Sequence, residues 1–403
     1  MKIIASAITI GTGGSAGKEG PIAQIGSGFG SAFASLLKLK ARERRILLLA
    51  GAAGGIGAIF QAPLGAALFA PEVLYRETEF EYEAILPCIV SSITAYAVYT
   101  QLYKGGALFF PGPVDFSLPG ELLPYTLFGV VCAMTGFLYV RILYGSRDRF
   151  FKPLRLHKML KPAVGGLLLG TIAYAFPQVS DGGYGWIQMA LEGKMFWGTM
   201  LLLAFLKILG TSCTIGSGGS GGVFGPSVFI GAMLGGAFGF LGHQVAPEWV
   251  VNPGAFVLVG IGGFFAGVAK TPVSSIIMAC EMSASYTLLV PLMLVSSKRT
   301  ARMSLIETMP VIRPSRSTTG KWDAPEWVTV FTSSSNNMFS GMCMIGRSVV
   351  ASCTRIFSSI PRANSVRCAG DAIRLICCFS YRLVLRSSRY EVEDTSISGT
   401  SRV

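Results

Sequence analysis

Residues 11–26 read Gly-Thr-Gly-Gly-Ser-Ala-Gly-Lys-Glu-Gly-Pro-Ile-Ala-Gln-Ile-Gly, and residues 216–231 read Gly-Ser-Gly-Gly-Ser-Gly-Gly-Val-Phe-Gly-Pro-Ser-Val-Phe-Ile-Gly. Nine of the sixteen positions are identical at an offset of 205. In both stretches a glycine-rich turn leads through a Gly-Pro step into an apolar run, which predicts the start of a helix. A helix start without side chains exposes unpaired N–H groups and the positive end of the helix dipole, so each stretch is a candidate anion-binding element.

The composition of the chain indicates a membrane protein. Of its 403 residues 51% are hydrophobic and only 14% are charged, and the mean hydropathy is +0.55. Such a sequence has too little polar surface to cover a soluble globule of this size. Crossing about 30 Å of hydrocarbon needs roughly 20 residues of helix. The clearest apolar stretches are residues 46–70, 85–102, 125–144, 162–176, 196–209, 227–241, 255–269 and 273–295.

Prolines and glycines interrupt these apolar stretches. Pro63 follows a run of glycines, and Pro71, Pro226 and Pro272 also fall within or beside apolar stretches, so straight helices through the bilayer are not expected. Broken helices persist at membrane depth only where the freed backbone faces protein or a watery cavity. Close helix packing explains most of the 50 glycines. It does not explain why a Gly-Pro step follows both glycine-rich turns.

A second set of matches supports an internal duplication. At an offset of 209, Gly51, Gly54, Pro63, Ala70 and Glu72 correspond to Gly260, Gly263, Pro272, Ala279 and Glu281. Duplicated segments with discontinuous helices predict a repeat fold whose binding site lies between the two halves. The residues alone do not decide whether the repeats run parallel or inverted.

The two motifs also carry a resemblance to a known family. Gly-Lys-Glu-Gly-Pro at 17–21 and Gly-Val-Phe-Gly-Pro at 222–226 resemble the signature motifs of the CLC family of chloride channels and chloride/proton exchangers. Further resemblance lies in residues 60–65, 69–73 and 278–283, so it covers about residues 1–296.

The resemblance implies an all-α membrane protein with an inverted repeat of broken, tilted transmembrane helices. Residues 1–103 would be the remainder of the first repeat and 104–296 an incomplete second repeat. It further implies a multi-pass protein of the cell or inner membrane, a homodimer with one pore in each subunit, and chloride bound by main-chain amides without a cofactor. It implies no enzyme activity.

By position in the motifs, the resemblance assigns anion-binding amides to Lys18, Glu19 and Gly20 on the outer side and to Val223, Phe224 and Gly225 at the central site. Partial charges on fixed amides suit a conducted ion, because a full positive charge beside it would hold the ion too tightly.

Glu19 is the candidate gate. A carboxylate at an apolar, glycine-lined helix start competes for the place that an anion takes, and protonation releases it. The alternative is an ordinary acidic residue that interacts with the helix dipole in the first turn; within a membrane span we favour the gate. Lys18 either attracts anions, or pairs with a carboxylate or extends to the interface.

Val73 stands where exchangers of the family commonly have an inner, proton-relaying glutamate. Because valine carries no proton, we expect a voltage- or pH-gated chloride channel, with a chloride/proton antiporter as the alternative. A register shift of one residue would make Glu72 the relay. Its repeat counterpart Glu281 is expected to serve helix packing or capping.

Both ends of the chain depart from the family. No counterpart of the family's opening helices or of its serine motif precedes the first glycine motif, and no tyrosine occurs between Tyr286 and Tyr381, where the family has a pore tyrosine. Residues 297–403 hold a net charge of +8, of the chain's +13, and five of the nine cysteines. A basic cytoplasmic extension attracted to anionic lipid is one reading of this tail, and a frame error or truncated gene is the one we favour. A non-functional fragment of a transporter is therefore a third hypothesis.

Other classes of site find little support. The sequence has no CxxC pair or His/Cys cluster, so a metal centre is not expected. Binding of nucleic acid by the basic tail lacks any motif. Nucleotide binding by the glycine-rich turns would require a strand before the turn and an acidic partner about 20 residues later.

Overall fold

The structure of the protein is a computed structural model that describes residues 2–74, 82–103, 106–112, 119–157 and 159–296. Within these ranges the chain forms twelve α-helices and, apart from one isolated β-bridge, no strand. The helices are α1 (Lys2–Gly11), α2 (Glu19–Leu36), α3 (Ala41–Phe60), α4 (Pro63–Leu74), α5 (Tyr82–Tyr103), α6 (Leu122–Gly145), α7 (Lys161–Ala175), α8 (Tyr184–Leu191), α9 (Trp197–Gly216), α10 (Phe224–Val245), α11 (Pro253–Ala269) and α12 (Pro272–Ser283). The predicted all-α fold class is confirmed.

Four of the described helical segments are long and apolar enough to cross a membrane: Glu83–Tyr103, Leu122–Phe151, Trp197–Gly216 and Phe224–Val245. The second consists of α6 and a π-helical turn, Ser146–Phe151, that continues it. Other apolar helices, such as Pro253–Ala269, are shorter. Long and short apolar helices packed together agree with the discontinuous spans expected from the sequence.

Prolines break the chain at equivalent places in the two halves. Gln61 ends α3 and Lys270 ends α11, both in left-handed geometry with φ of 54° and 60°. Pro63 and Pro272 then begin α4 and α12. Proline disfavours helical geometry in the residue before it and cannot donate a backbone hydrogen bond, so each preceding helix stops. The apolar stretch 46–70 is therefore divided into two helices, α3 and α4, at the position where Pro63 predicts an interruption.

Two glutamates cap helices in the opposite half. Glu72, near the end of α4, accepts hydrogen bonds from the N–H groups of residues 273 and 274 at 3.0 and 2.8 Å. Glu281, near the end of α12, accepts them from residues 64 and 65 at 3.1 and 2.7 Å. Each carboxylate thus satisfies unpaired N–H groups at a helix start and meets the positive end of its dipole. The capping role expected for Glu281 is confirmed, and Glu72 has the same role.

Small residues let helices α2 and α3, and likewise α10 and α11, approach to backbone contact. A Cβ on Gly26 would lie 2.1 Å from the carbonyl oxygen of Gly51, and a Cβ on Gly231 would lie 2.2 Å from that of Gly260. No side chain fits in either gap, so glycine is required at these crossings. The same pair of positions is used in both halves, as the duplicated sequence predicts.

Each half thus caps a helix of the other half in the same way. Reciprocal contacts of this kind are expected where a two-fold axis relates the two halves. The division into repeats at residues 103 and 104 remains a prediction, because residues 104 and 105 are not among those described. The predicted tail, residues 297–403, also lies outside the described part of the chain.

Candidate anion-binding site

The two glycine motifs lie against each other. The N–H of Gly17 donates to the carbonyl of Gly222, and the N–H of Gly222 donates to the carbonyl of Gly17, both at 2.7 Å. A Cβ on Gly20 would stand 3.0 Å from Gly222 Cα, and a Cβ on Gly17 would stand 2.7 Å from the backbone nitrogen of Gly225. Because the backbones touch, glycine is needed here for close approach. The structure therefore brings together two motifs that are 205 residues apart.

A second reciprocal pair of hydrogen bonds fixes the turns that precede the motifs. The N–H of Ser15 donates to Thr214 Oγ1 at 3.1 Å, and the N–H of Ser220 donates to Thr9 Oγ1 at 3.2 Å. Each half thus supplies a threonine hydroxyl to the turn of the other. Both turns are thereby held in one orientation, which sets the direction of the helix starts α2 and α10.

Glu19 connects the two halves through its side chain. It is the first residue of α2 and is only 1% exposed. Its Oε2 accepts a hydrogen bond from the N–H of Gly225 at 3.2 Å, and its Oε1 accepts one from the hydroxyl of Tyr184 at 2.5 Å. A buried carboxylate requires such donors. The carboxylate of Glu19 therefore occupies a place where donors from α8 and α10 converge.

Neither glycine motif indicates Tyr184, which the structure adds to the site. Tyr184 begins α8 directly after Gly183, which has a φ of 76°. A Cβ on Gly183 would lie 2.4 Å from the ring of Phe229 on α10, so the chain passes close to that helix. The sequence Asp-Gly-Gly-Tyr at 181–184 is a glycine-rich helix start of its own, and this is the signal that could have found Tyr184.

Lys207 is the second residue that the motifs do not indicate. It lies on α9 with 0% exposure, and its ammonium donates to the carbonyl oxygens of residues 179, 180 and 181 at 2.9, 3.1 and 2.5 Å. Its Nζ also lies 4.8 Å from the ring centroid of Phe229. Three donors meeting three acceptors satisfy a buried ammonium completely. Lys207 thereby fixes the loop that leads into Tyr184.

Lys18, predicted as an anion-binding position, lies at the N-terminal cap of α2 with an exposed side chain. Its Nζ is 5.7 Å from the ring centroid of Tyr184, within the range of a cation–π contact. Gly20 follows within α2. The positive charge of Lys18 thus lies beside the Glu19 site rather than inside it.

The second motif places side chains away from the site. Val223 caps α10. The ring of Phe224 packs edge-on against Phe69 and Phe265, at centroid distances of 5.3 and 5.2 Å. These contacts tie the start of α10 to the core and leave its backbone N–H groups as the polar feature of this helix start. Gly225 follows within the first turn, and its N–H is the one that meets Glu19.

Val73, at the predicted position of the inner relay acid, is a half-buried residue of α4 that packs against the main hydrophobic core. Glu72, the alternative relay, has both carboxylate oxygens on the N–H groups at the start of α12. Among the residues that the structure describes, no cluster of histidine, cysteine, aspartate or glutamate could hold a metal ion.

The sequence matches that of known proteins over most of its length. Residues 1–298 match the profile of a family described as voltage gated chloride channel. A putative chloride channel protein, ClcB-like, of Ralstonia nicotianae is 32% identical over 298 residues, which are 73% of this chain and 69% of that protein. The H(+)/Cl(-) exchange transporter ClcA of Yersinia pestis is 29% identical over 301 residues, 72% of this chain and 62% of that one.

Two solved structures share the fold. A slow cyanobacterial Cl−/H+ antiporter superposes with a TM-score of 0.70 at 22% identity, covering 84% of this chain and 76% of that one. A CLC-type fluoride/proton antiporter superposes with a TM-score of 0.66 at 23% identity, covering 74% and 73%. The predicted fold is thus confirmed, and the chain forms a multi-pass integral membrane protein. With its paired glycine motifs and its match over residues 1–298, the chain belongs to the voltage gated chloride channel family, the CLC family.

Proposed function

We propose that the protein moves chloride across the membrane in exchange for protons, and that Glu19 is the group through which the two movements are coupled. The observation that carries this proposal is the position of the Glu19 carboxylate, which is buried and engages donors of the second half of the chain, from α8 and α10. A function in transport rather than in catalysis follows from the family.

Competition between two anions gives the coupling. An ionised carboxylate and a chloride ion both need the backbone N–H donors of the same small space, so only one of them can occupy it. Burial makes the ionised carboxylate costly unless those donors are engaged. When chloride displaces the Glu19 side chain, the carboxylate loses its hydrogen-bond donors, and a proton bound to Glu19 neutralises its charge. Entry of an anion and uptake of a proton therefore favour each other.

The main-chain groups of the two helix starts are the proposed anion ligands. The outer set is that of Lys18, Glu19 and Gly20 at the start of α2, and the central set is that of Val223, Phe224 and Gly225 at the start of α10. The direct bridge between the motifs supports this assignment, because it brings both helix starts, with their positive dipole ends, to one place. An anion there meets partial charges only, which permits it to leave.

Exchange is favoured here over the gated channel that Val73 suggests. The names of the relatives include both kinds of protein, but the ClcA relatives and both superposed structures are named as proton-coupled. Coupling by competition at Glu19 does not itself require an acid at residue 73. The channel remains the second candidate, and the non-functional fragment is the third.

Flux measurements on purified protein in liposomes decide among these candidates. With a chloride gradient across the vesicle wall, exchange drives protons against their own gradient, as recorded by a pH electrode alongside a chloride electrode. Chloride movement without protons would establish the channel instead. No flux of either ion from monodisperse protein would overturn the proposal in favour of the fragment.

Glu19→Gln tests the role assigned to the carboxylate. The neutral amide resembles protonated glutamic acid, so chloride movement should continue while proton movement is lost. Glu248→Gln is the matched control, because Glu248 is an exposed glutamate and the same chemical change there should leave coupling intact. Proton movement that persists in Glu19→Gln would contradict the assignment.

The homodimer that the resemblance implies is likewise a proposal. Its support is that α5 presents large apolar side chains outward, among them Leu86 and Leu102 at 58% and 72% exposure. Either lipid or a second copy of the chain must cover them.

A further inference from the structure

The hydroxyl of Tyr184 meets the carboxylate of Glu19 from outside both glycine motifs. We propose that this hydroxyl is a ligand of the anion site itself, a hydrogen-bond donor that the Glu19 carboxylate and the transported anion use in turn. The inference rests on the proposed function and adds to it a side-chain ligand on a third element, α8. It makes Tyr184 an anion-binding residue and not only a neighbour of the gate.

The geometry of the carboxylate supports the shared use. Its two oxygens engage two different donors, the N–H of Gly225 at 3.2 Å and the hydroxyl of Tyr184 at 2.5 Å. These oxygens mark the positions at which negative charge is stabilised in this space. When the side chain of Glu19 leaves, both donors face the space that it vacates. A chloride ion that enters there meets one backbone donor from α10 and one phenolic donor from α8.

The hydroxyl is held in place before any anion arrives. The ring of Tyr184 stacks on Phe109 with centroids 6.1 Å apart, and the ammonium of Lys18 lies 5.7 Å from its centroid. A donor that is already oriented loses little conformational freedom when it binds an ion. The contacts around the ring thus make Tyr184 a fixed part of the site.

Lys207 acts as the positioning residue for this donor. Its ammonium binds three successive carbonyls of the loop at 179–181, which ends three residues before the tyrosine. The same ammonium lies over the ring of Phe229 on α10, the helix that carries Gly225. The buried side chain of Lys207 therefore contacts both the loop that positions Tyr184 and the helix that carries the backbone donor.

Chloride binding in two backgrounds tests the proposal. Titration calorimetry with purified protein, in a buffer without halide and at one fixed pH, gives the dissociation constant of chloride. The first background is the wild type, in which the carboxylate competes with the ion. The second is Glu19→Ala, which removes the competitor and leaves the space open. Tyr184→Phe is introduced into each, since it removes the hydroxyl and keeps the ring.

The expected result differs between the backgrounds. In Glu19→Ala, loss of the hydroxyl should weaken chloride binding by about tenfold or more, in keeping with a hydrogen bond to a charged partner. In the wild type the same change weakens the binding of both competitors, the Glu19 carboxylate and the chloride ion. The apparent affinity for chloride should therefore change by about twofold or less. Damage to the fold would instead weaken binding equally in both backgrounds.

Tyr125→Phe is the matched control. Tyr125 is a buried tyrosine that stacks on Phe256 at 4.2 Å, and removal of its hydroxyl should leave chloride affinity unchanged in both backgrounds. Equal losses in the two backgrounds, or an affinity in Glu19→Ala/Tyr184→Phe within twofold of Glu19→Ala, would overturn the inference and leave the proposed function standing. If neither the wild type nor Glu19→Ala binds chloride, the proposed function fails and the inference fails with it.

Discussion

Replacing Glu281 by alanine should destabilise the protein through a helix in the opposite half of the chain. The carboxylate of Glu281 accepts two N–H groups at the start of α4, at 3.1 and 2.7 Å. Loss of a helix N-cap costs about 0.5–2 kcal/mol, and loss of a negative charge at the dipole end costs a further 0.3–1 kcal/mol, approximately. We expect a decrease of about 1–3 kcal/mol in the free energy of unfolding.

The equivalence of the two halves sharpens this prediction. Glu72 makes the mirrored contacts at 3.0 and 2.8 Å, so Glu72→Ala should cost the same as Glu281→Ala to within about 1 kcal/mol. Glu83→Ala is the control: its carboxylate forms an ion pair with Arg42 at 2.7 Å, but both side chains are more than half exposed. Such pairs contribute about 0–1 kcal/mol.

Reversible unfolding in mixed detergent micelles, followed by tryptophan fluorescence, measures these three variants. Two outcomes would refute the reasoning. The first is a Glu281→Ala protein as stable as the Glu83→Ala protein, which would mean that the observed caps contribute nothing. The second is a loss in one capping variant only, which would mean that the two halves are not held by equivalent contacts.

Two further predictions concern packing and burial. Gly231→Ala should lower stability by about 1–3 kcal/mol, because the added Cβ would meet the carbonyl of Gly260 at 2.2 Å. Gly28→Ala, on a helix surface with no atom near the added group, should be neutral or slightly stabilising in the same unfolding assay; equal effects at both sites would contradict the close crossing. Lys207→Met should cost about 2–4 kcal/mol by leaving three loop carbonyls without their donor, and should weaken chloride binding in the Glu19→Ala background. Wild-type stability in Lys207→Met would show that these bonds do not hold the loop.

Comparison of the two halves of the sequence predicts much of what positions the site. The similarity of residues 11–26 to residues 216–231 indicates two equivalent helix starts, and the structure pairs them through Gly17 and Gly222. The recurrence of glutamate at residues 72 and 281 likewise reflects a shared task, the capping of helices. Internal repetition makes such features recognisable, because the same structural requirement is met by the same residue type at equivalent positions of the two halves.

Comparison of the two halves of the sequence does not indicate Tyr184. At the offset of 205 it has no counterpart in the printed sequence, so comparison of the halves cannot single it out. It also lies 165 residues from Glu19, and only the folded chain shows that the two meet. Lys207 could have been found in two ways: it is a lone charge within an apolar stretch, which is costly in a membrane, and at the same offset it corresponds to Lys2.

The crossed helix caps also bear on how the chain is made. The N–H groups at residues 64 and 65 depend on a carboxylate that lies up to 217 positions later in the sequence. At a synthesis rate of about 5–20 residues per second, the ribosome needs roughly 10–40 s to reach it. During that interval the early helix start has no protein partner, and bare amides are not tolerated in hydrocarbon. We therefore expect the start of α4 in the nascent first half to stay hydrated, at the insertion machinery or the bilayer surface, until Glu281 of the second half caps it.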